Sequence, residues 1–213
     1  MKFVALSDTH GRHHEVDVPH GDVLLFAGDF TGYQTAAEWW SFHDWLSALP
    51  HPHKIVVAGN HDAMLTDPIL LDVIRQVATY LQDSSIEIGG VTIHGSPWVP
   101  WMRGHWSFEA REAERRRTWA KVPAATDIIV SHAPPLGACD MGKRGVALGD
   151  PELTALLRRW PSVRRAPRVI VCGHVHEAHG EGSLFGTRVL NVAICDERYW
   201  PRNPVTVFDL EPL

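Results

Sequence analysis

Residues 53–62 read HKIVVAGNHD, a short apolar run that ends in a glycine and three polar side chains. Runs of this length that are apolar at nearly every position and rich in β-branched residues are typical of strands buried on both faces of a sheet. The same arrangement recurs in KFVALS (2–7), DVLLFAG (22–28), DIIVSH (127–132) and RVIVCG (168–173). The sequence therefore predicts five buried strands.

Amphipathic stretches separate these runs. Trp39, Phe42 and Leu46 share one face of a helix predicted over 35–48, and Pro50 ends it. Asp67 before Pro68 is typical of a helix start. The remaining predicted elements are helices over 68–79, 107–120 and 151–160, and strands over 86–95, 187–194 and 204–210. Alternating strands and helices predict an α/β fold, and the strands are numerous enough for a layered sandwich of two sheets.

Composition is that of an ordinary globular protein. The chain has 213 residues, 45% hydrophobic and 21% charged, with a formal net charge of −5. This charge predicts neither extended nucleic-acid binding nor attraction to an anionic membrane. No apolar run approaches the roughly 18 residues that a membrane span needs, and the start of the chain lacks the features of a signal peptide. Three cysteines are too few for a disulfide framework. We expect one cytoplasmic domain over residues 1–213.

Each of the five buried runs is followed by side chains that can bind a metal or act on a proton. In chain order these are Asp8, His10, Asp29, Asn60, His61, Asp62, His132, His174 and His176. Ligand sites in α/β sheets gather beyond the carboxyl ends of the strands. The sequence therefore predicts that these side chains meet in one site.

Seven of these residues form a donor set of carboxylate, amide and imidazole groups without cysteine. Such a set suits manganese, zinc, iron or cobalt and does not suit an iron–sulfur cluster. Seven donors exceed the needs of one tetrahedral ion but fit two ions about 3.5–4 Å apart if a carboxylate bridges them. Asp29 is the expected bridge. Gly28, Gly59 and Gly173 would let the backbone approach the site closely.

The blocks Asp8-x-His10, Gly28-Asp29, Gly59-Asn60-His61-Asp62, His132 and Gly173-His174-x-His176 occur in this order. Together they resemble the calcineurin-like metallophosphoesterase superfamily. Further stretches look like its metallophosphoesterase-domain-containing branch, which is similar to class III cyclic nucleotide phosphodiesterases: GSPW (95–98), Trp101, SHAPPLG (131–137) and Asn203-Pro204. The chain departs from many relatives at Phe30-Thr31, where they carry an acid or an amide.

The resemblance implies a β-sandwich of two mixed sheets flanked by helices, and two divalent metal ions with manganese favoured. One ion would be held by Asp8, His10, Asp29 and His176, and the other by Asp29, Asn60, His132 and His174. His61 would face the phosphate as an acid or electrostatic stabiliser. Asp62 would orient His61 by accepting a hydrogen bond from a ring N–H.

The function expected from these features is two-metal-dependent hydrolysis of small phosphodiesters, by attack of a metal-bridging hydroxide. Only the resemblance points to nucleotides, cyclic nucleotides among them. Two alternatives stay open: a phosphomonoesterase of broad specificity, and a non-catalytic metal-binding scaffold.

Substrate contacts are the least determined part of the site. Trp98, Trp101 and Trp106 lie in a stretch broken by proline and glycine, where they either stack on a nucleobase or pack under the following helix. Lys143 and Arg144, between two glycines, either contact phosphate or belong to a solvated surface loop.

Overall fold

The computed structural model of the chain describes residues 1–160 and 165–211. Within these ranges the strands are β1 (Lys2–Leu6), β2 (Val23–Ala27), β3 (His53–Val57), β4 (Thr79–Tyr80), β5 (Ser84–Ile88), β6 (Val91–Ser96), β7 (Val99–Pro100), β8 (Glu109–Ala110), β9 (Ile128–Ser131), β10 (Val169–Cys172), β11 (Gly180–Leu184), β12 (Thr187–Asn191) and β13 (Thr206–Asp209). The α-helices are α1 (Ala36–Ala48), α2 (Pro68–Ile74), α3 (Glu112–Trp119) and α4 (Pro151–Arg158). Short 3₁₀ turns lie at His13–Glu15, Ala63–Thr66, Lys143–Gly145 and His176–Ala178.

Most strands belong to two mixed sheets. The first has the order β13-β1-β2-β3-β4, with β13 antiparallel and the rest parallel. The second has the order β11-β12-β10-β9-β6-β5, with antiparallel pairs at both edges and parallel pairs between β12 and β6. Strands β7 and β8 pair separately.

Alternate residues of the central strands face different layers. Phe3 and Ala5 of β1 point into a core shared with Ile128 and Val130 of β9, so the two sheets pack face to face. Other core clusters lie on the outer faces, where the first sheet packs against α1 and α2 and the second against α3 and α4. Burial on both faces explains why the strands are apolar at nearly every position. The predicted sandwich of two mixed sheets flanked by helices is confirmed.

Element boundaries differ most from the predictions in three places. Helix α2 ends at Ile74 rather than near residue 79, because Thr79–Tyr80 pairs with β3. Helix α3 begins only at Glu112, because Glu109–Ala110 pairs with β7. The stretch 86–95 is not one strand but parts of β5 and β6, joined through Gly89 and Gly90. Both glycines have positive φ, which a tight hairpin turn requires.

The described helices include none that is long and apolar enough to cross a membrane. The predicted single domain over 1–213 also takes in residues 161–164 and 212–213, which lie outside the described residues.

Candidate metal centre and adjoining cleft

The loops after the five predicted buried strands, β1, β2, β3, β9 and β10, meet at one edge of the sandwich. They bring together three overlapping groups of donor atoms, each group within 4.8 Å. The groups are Asp8, His10 and His176; His10, Asp29 and His61; and Asp29, His132 and His174. The first and third each contain three of the four ligands that the family resemblance implies for one ion.

Asp29 lies between the two sets. Its Oδ2 atom is 3.3 Å from Nε2 of His132 on one side and 3.9 Å from Nε2 of His10 on the other. Its Oδ1 atom accepts a hydrogen bond from the backbone N–H of His61 at 2.8 Å. One carboxylate oxygen therefore faces both candidate metal positions, as a bridging ligand would require.

Asp8 and His176 form the other end of the cluster. Oδ1 of Asp8 is 3.3 Å from Nε2 of His176. The backbone N–H of His174 and the hydroxyl of Ser7 donate to Oδ2 of Asp8. These contacts link the loop after β1 in one sheet to the loop after β10 in the other.

Four of the histidines are oriented in the same way. Their Nδ1 atoms lie within hydrogen-bond distance of backbone carbonyl oxygens: His10 of Thr31, His61 of Gly32, His132 of Ala27 and His176 of Asp196. An Nδ1–H that donates to a carbonyl leaves the lone pair on Nε2, which is the arrangement that metal-binding histidines commonly have. These rings therefore offer Nε2 to the site.

Two buried atoms at the site lack a hydrogen-bond partner among residues 1–160 and 165–211: Nε2 of His132 and Oδ1 of Asn60. Leaving a buried polar atom without a partner costs free energy. Both atoms belong to the ligand set expected for one metal. These two unpartnered ligand atoms and the surrounding carboxylate and imidazole groups therefore fit a divalent ion.

The charge of the site also suits cations. Burial raises the pKa of Asp29, but the neighbouring histidines, His132 foremost, together outweigh this effect and leave the pKa well below its ordinary value. Burial likewise raises the pKa of Asp8, and the hydrogen bond with His176 together with the nearby charges of His132 and His176 more than offsets it. Both carboxylates are therefore anions at neutral pH.

Backbone geometry shows how tightly the loops converge. A side chain at Gly59 would collide with Asp29 and His132, and one at Gly173 would collide with Asp8 and Ser7. The predicted close approach at these glycines is confirmed. Several expected ligands themselves have positive φ: Asp8 at 52°, His10 at 44°, Asp29 at 58° and His174 at 66°. Such left-handed conformations in non-glycine residues concentrate at functional sites, and no sequence pattern indicated them.

Asp62 does not have the expected position relative to His61. Its carboxylate accepts backbone N–H bonds from Asp29 and Gly59 at Oδ2 and from Phe30 and Thr31 at Oδ1. Nδ1 of His61 instead lies 3.1 Å from the carbonyl oxygen of Gly32. The prediction that Asp62 orients the His61 ring is therefore wrong, because the carboxylate is directed at the loop backbone.

A cleft of about 670 Å³ opens beside the cluster, and His10 and His61 line it. The other described residues that line it are Arg12, Gly32, Tyr33, Trp106, Arg198, Tyr199 and Trp200. This cleft gives the expected acid, His61, access to a bound ligand.

The four residues expected to contact substrate do not line this cleft, whose lining is known for the described parts of the chain. Trp98 packs against Phe108 and donates to Asp83 at 2.9 Å, and Trp101 lies against Arg111. Nζ of Lys143 is 4.0 Å from the Glu177 carboxylate. Arg144 is exposed, with a φ of 63°. Trp98 thus has the packing role that was left open for it.

Trp106, one of the three tryptophans considered, reaches the cleft. Tyr199 and Trp200 also reach it, and the sequence analysis missed them. Their only signal was an aromatic pair in a polar stretch after the last predicted ligand.

Comparisons with known proteins agree with this geometry. The family model for calcineurin-like phosphoesterases matches residues 1–178. Human metallophosphoesterase domain-containing protein 1 is 35% identical over 235 residues, covering 98% of this chain and 71% of that protein. UPF0046 protein C25E10.12 from Caenorhabditis elegans is 34% identical over 233 residues, covering 99% of this chain and 81% of that protein.

A solved structure shares the fold. It is sulfate thiohydrolase SoxB from Thermus thermophilus in complex with glycerol, with a TM-score of 0.53 and 11% sequence identity. The match covers 90% of this chain and 51% of that chain.

Proposed function

The chain belongs to the calcineurin-like phosphoesterase family, and from this premise we propose that it is a metal-dependent phosphoesterase that hydrolyses small phosphodiesters. The family match confirms the resemblance carried by the five motif blocks. The observation that supports the proposal most strongly is the pair of buried donor groups that share Asp29 beside an open cleft. A manganese cofactor, a cytoplasmic location and a single domain stay predictions.

The residues would hold two ions as the resemblance implies: Asp8, His10, Asp29 and His176 around one, and Asp29, Asn60, His132 and His174 around the other. Bound divalent ions would neutralise phosphate charge and lower the pKa of a water molecule toward neutrality. The two anionic carboxylates and the uncharged amide of Asn60 are suited to hold them. The backbone carbonyls of Thr31, Ala27 and Asp196 would keep three of the imidazoles aimed at them.

His61 would act on the leaving group. Its Nδ1 atom is engaged by the carbonyl of Gly32, so Nε2 is the atom free to hold a proton. The ring lies 4.7 Å from the ring of His10 and lines the cleft. Proton transfer from a positioned histidine typically contributes about 10²–10⁴-fold to a rate. Asp62 would be a positioning residue, because it holds the loop that carries Asp29.

The lining of the cleft supports the diester part of the proposal. A monoester carries a second negative charge, which arginine side chains can pair with through charge-assisted hydrogen bonds. The arginines that line the cleft are Arg12, which is already paired with Glu15 at 2.8 Å, and Arg198, whose side chain is largely exposed. Neither is a buried, unpaired cation.

The test is the initial rate on bis(p-nitrophenyl) phosphate and on p-nitrophenyl phosphate with added manganese, before and after chelation. We expect chelator-sensitive diester hydrolysis with little monoester turnover. His61→Ala should lower kcat by about 10²–10⁴-fold, and His53→Ala, at an exposed histidine, should leave it unchanged. A preference for the monoester would favour the phosphatase, and activity that survives chelation would contradict the proposal.

A further inference from the structure

Large aromatic side chains are exposed around the mouth of the cleft. The exposed fractions are 40% for Trp106, 48% for Tyr199 and 49% for Trp200. Single exposed apolar residues are common on protein surfaces, but several that line one cavity indicate a ligand. All three rings line the same cleft as His10 and His61 of the candidate metal cluster.

Two of the rings contact the cluster directly. The Trp106 ring lies 4.4 Å from the His61 ring, at an angle of 38°. The Tyr199 ring lies 4.7 Å from the His10 ring and 5.2 Å from the His176 ring, nearly edge-on to both. Trp106 and Tyr199 thus border the expected reaction centre from two different loops, and each leaves about half of its surface open.

In each of these two loops a carboxylate side chain accepts hydrogen bonds from the backbone. Glu109 accepts backbone N–H bonds from residues 102, 103, 104 and 106, which fixes the turn that carries Trp106. Asp196 accepts the N–H groups of Arg198 and Trp200, while its own carbonyl lies 2.9 Å from Nδ1 of His176. Tyr199, between these two anchors, has a φ of 62°. Because the rings are held in place before a ligand binds, less conformational entropy is lost when the ligand stacks on them.

Trp200 has a different role from the other two rings. The guanidinium of Arg12 lies over it at 4.0 Å and also donates to the carbonyl of Tyr199. This ring is therefore already covered by a cation. Tyr33 also lines the cleft and is 90% exposed. Trp106 and Tyr199 are the uncovered rings that also contact histidines of the cluster.

We propose that Trp106 and Tyr199 form a subsite for a planar aromatic substituent of the phosphoester, next to the position of the phosphate. The inference rests on the proposed function, because the metal centre would place the phosphate. A flat ring gains from stacking on aromatic faces, whereas a saturated ring of similar size gains only from burial. Stacking on aromatic side chains is sequence- and substituent-tolerant, so the subsite would select aromatic esters as a class.

The test compares two ligands that differ in the ring alone. Calorimetry on the manganese-loaded protein measures the Kd of methyl phenylphosphonate and of methyl cyclohexylphosphonate, each of which carries one negative charge as a phosphodiester does. Because the saturated ring is the more hydrophobic, burial alone predicts no preference for the aromatic one. We expect the phenyl compound to bind about 2- to 12-fold more tightly, the range for an aromatic contact beyond its burial.

Variants locate the source of this preference. Trp106→Ala and Tyr199→Ala should each reduce it, while Trp106→Phe and Tyr199→Phe should retain it. Trp40→Ala removes a tryptophan that is 49% exposed on α1 and should leave it unchanged. Equal affinities for the two ligands in the wild-type protein would overturn the subsite and leave the proposed function intact. Binding of neither ligand would also overturn the subsite, whereas the proposed function is tested separately by the hydrolysis of the diester.

Discussion

Asp62 illustrates how a buried carboxylate supports a site without facing it. Four backbone N–H groups converge on its two oxygens, from Asp29, Phe30, Thr31 and Gly59. They come from the loops after β2 and β3, so one side chain joins two loops that carry expected ligands. The four donors favour the ionised form of this carboxyl group, whereas burial and the neighbouring Asp29 raise its pKa to about 8.

Replacing Asp62 tests this role. In Asp62→Asn the amide group would face N–H donors that it cannot satisfy. Because a buried donor left without an acceptor costs about 1–3 kcal/mol, we expect the free energy of unfolding to fall by about 3 kcal/mol. Denaturant unfolding measures this, with Asp72→Asn, at an exposed ion pair, as the control. Unchanged stability with a loss of turnover would instead assign Asp62 to the chemistry.

The side chains expected to bind metal could be predicted from the sequence, because their residue types and their positions after the buried runs are visible in the chain. Their orientation could not. The carbonyl groups that hold His10 and His176 belong to residues 31 and 196. A hydrogen bond to a distant backbone atom leaves no trace in the side-chain pattern, and for that reason the pairing of Asp62 with its sequence neighbour His61 was wrong.

Helix α1 acts on the site through its first turn. Thr35 and Glu38 form a capping box, and the Glu38 carboxylate also accepts the N–H groups of Gly32 and Tyr33. The carbonyl oxygen of the same Gly32 lies 3.1 Å from Nδ1 of His61. The cap therefore orders the segment that would orient the expected acid.

Glu38→Ala should consequently affect both stability and rate. Loss of a capping interaction costs about 1 kcal/mol in the free energy of unfolding, and a displaced Gly32 carbonyl would lower kcat by about tenfold, since small misplacements of an acid are costly. Metal content should stay that of the wild type. Glu112→Ala, in the first turn of α3, is the matched control. A normal kcat in the Glu38→Ala variant would show that the cap does not affect the position of His61.

Long, strongly patterned elements were the predictable ones. The five buried strands follow from apolar runs and the start of α2 from the Asp67-Pro68 pair, and both are confirmed. The two-residue strands β4 and β8 were not predicted, because pairing with β3 and β7 outweighs the local helical pattern around them. The glycine-rich strand β11 was missed because its sequence, GEGSL, has little strand propensity.

The whole molecule brings distant segments to one edge. The carboxyl ends of five strands lie at this edge: β1, β2 and β3 of one sheet and β9 and β10 of the other. Side chains as far apart in sequence as Asp8 and His176 therefore meet in a single site. The topology rule that predicts this meeting is general. The cleft is different: its walls come from segments near residues 12, 33, 106 and 199. Their association depends on loop conformations that strand patterns do not encode.

We propose that the edge of the sandwich binds two metal ions that share Asp29. Elemental analysis of the manganese-reconstituted, desalted protein tests this on the wild type and on Asp29→Ala. We expect about two ions per wild-type chain, because a shared carboxylate suits a two-metal site. The variant should lose both ions together with nearly all activity. A wild-type chain holding well below two ions, or a variant that keeps both, would contradict it.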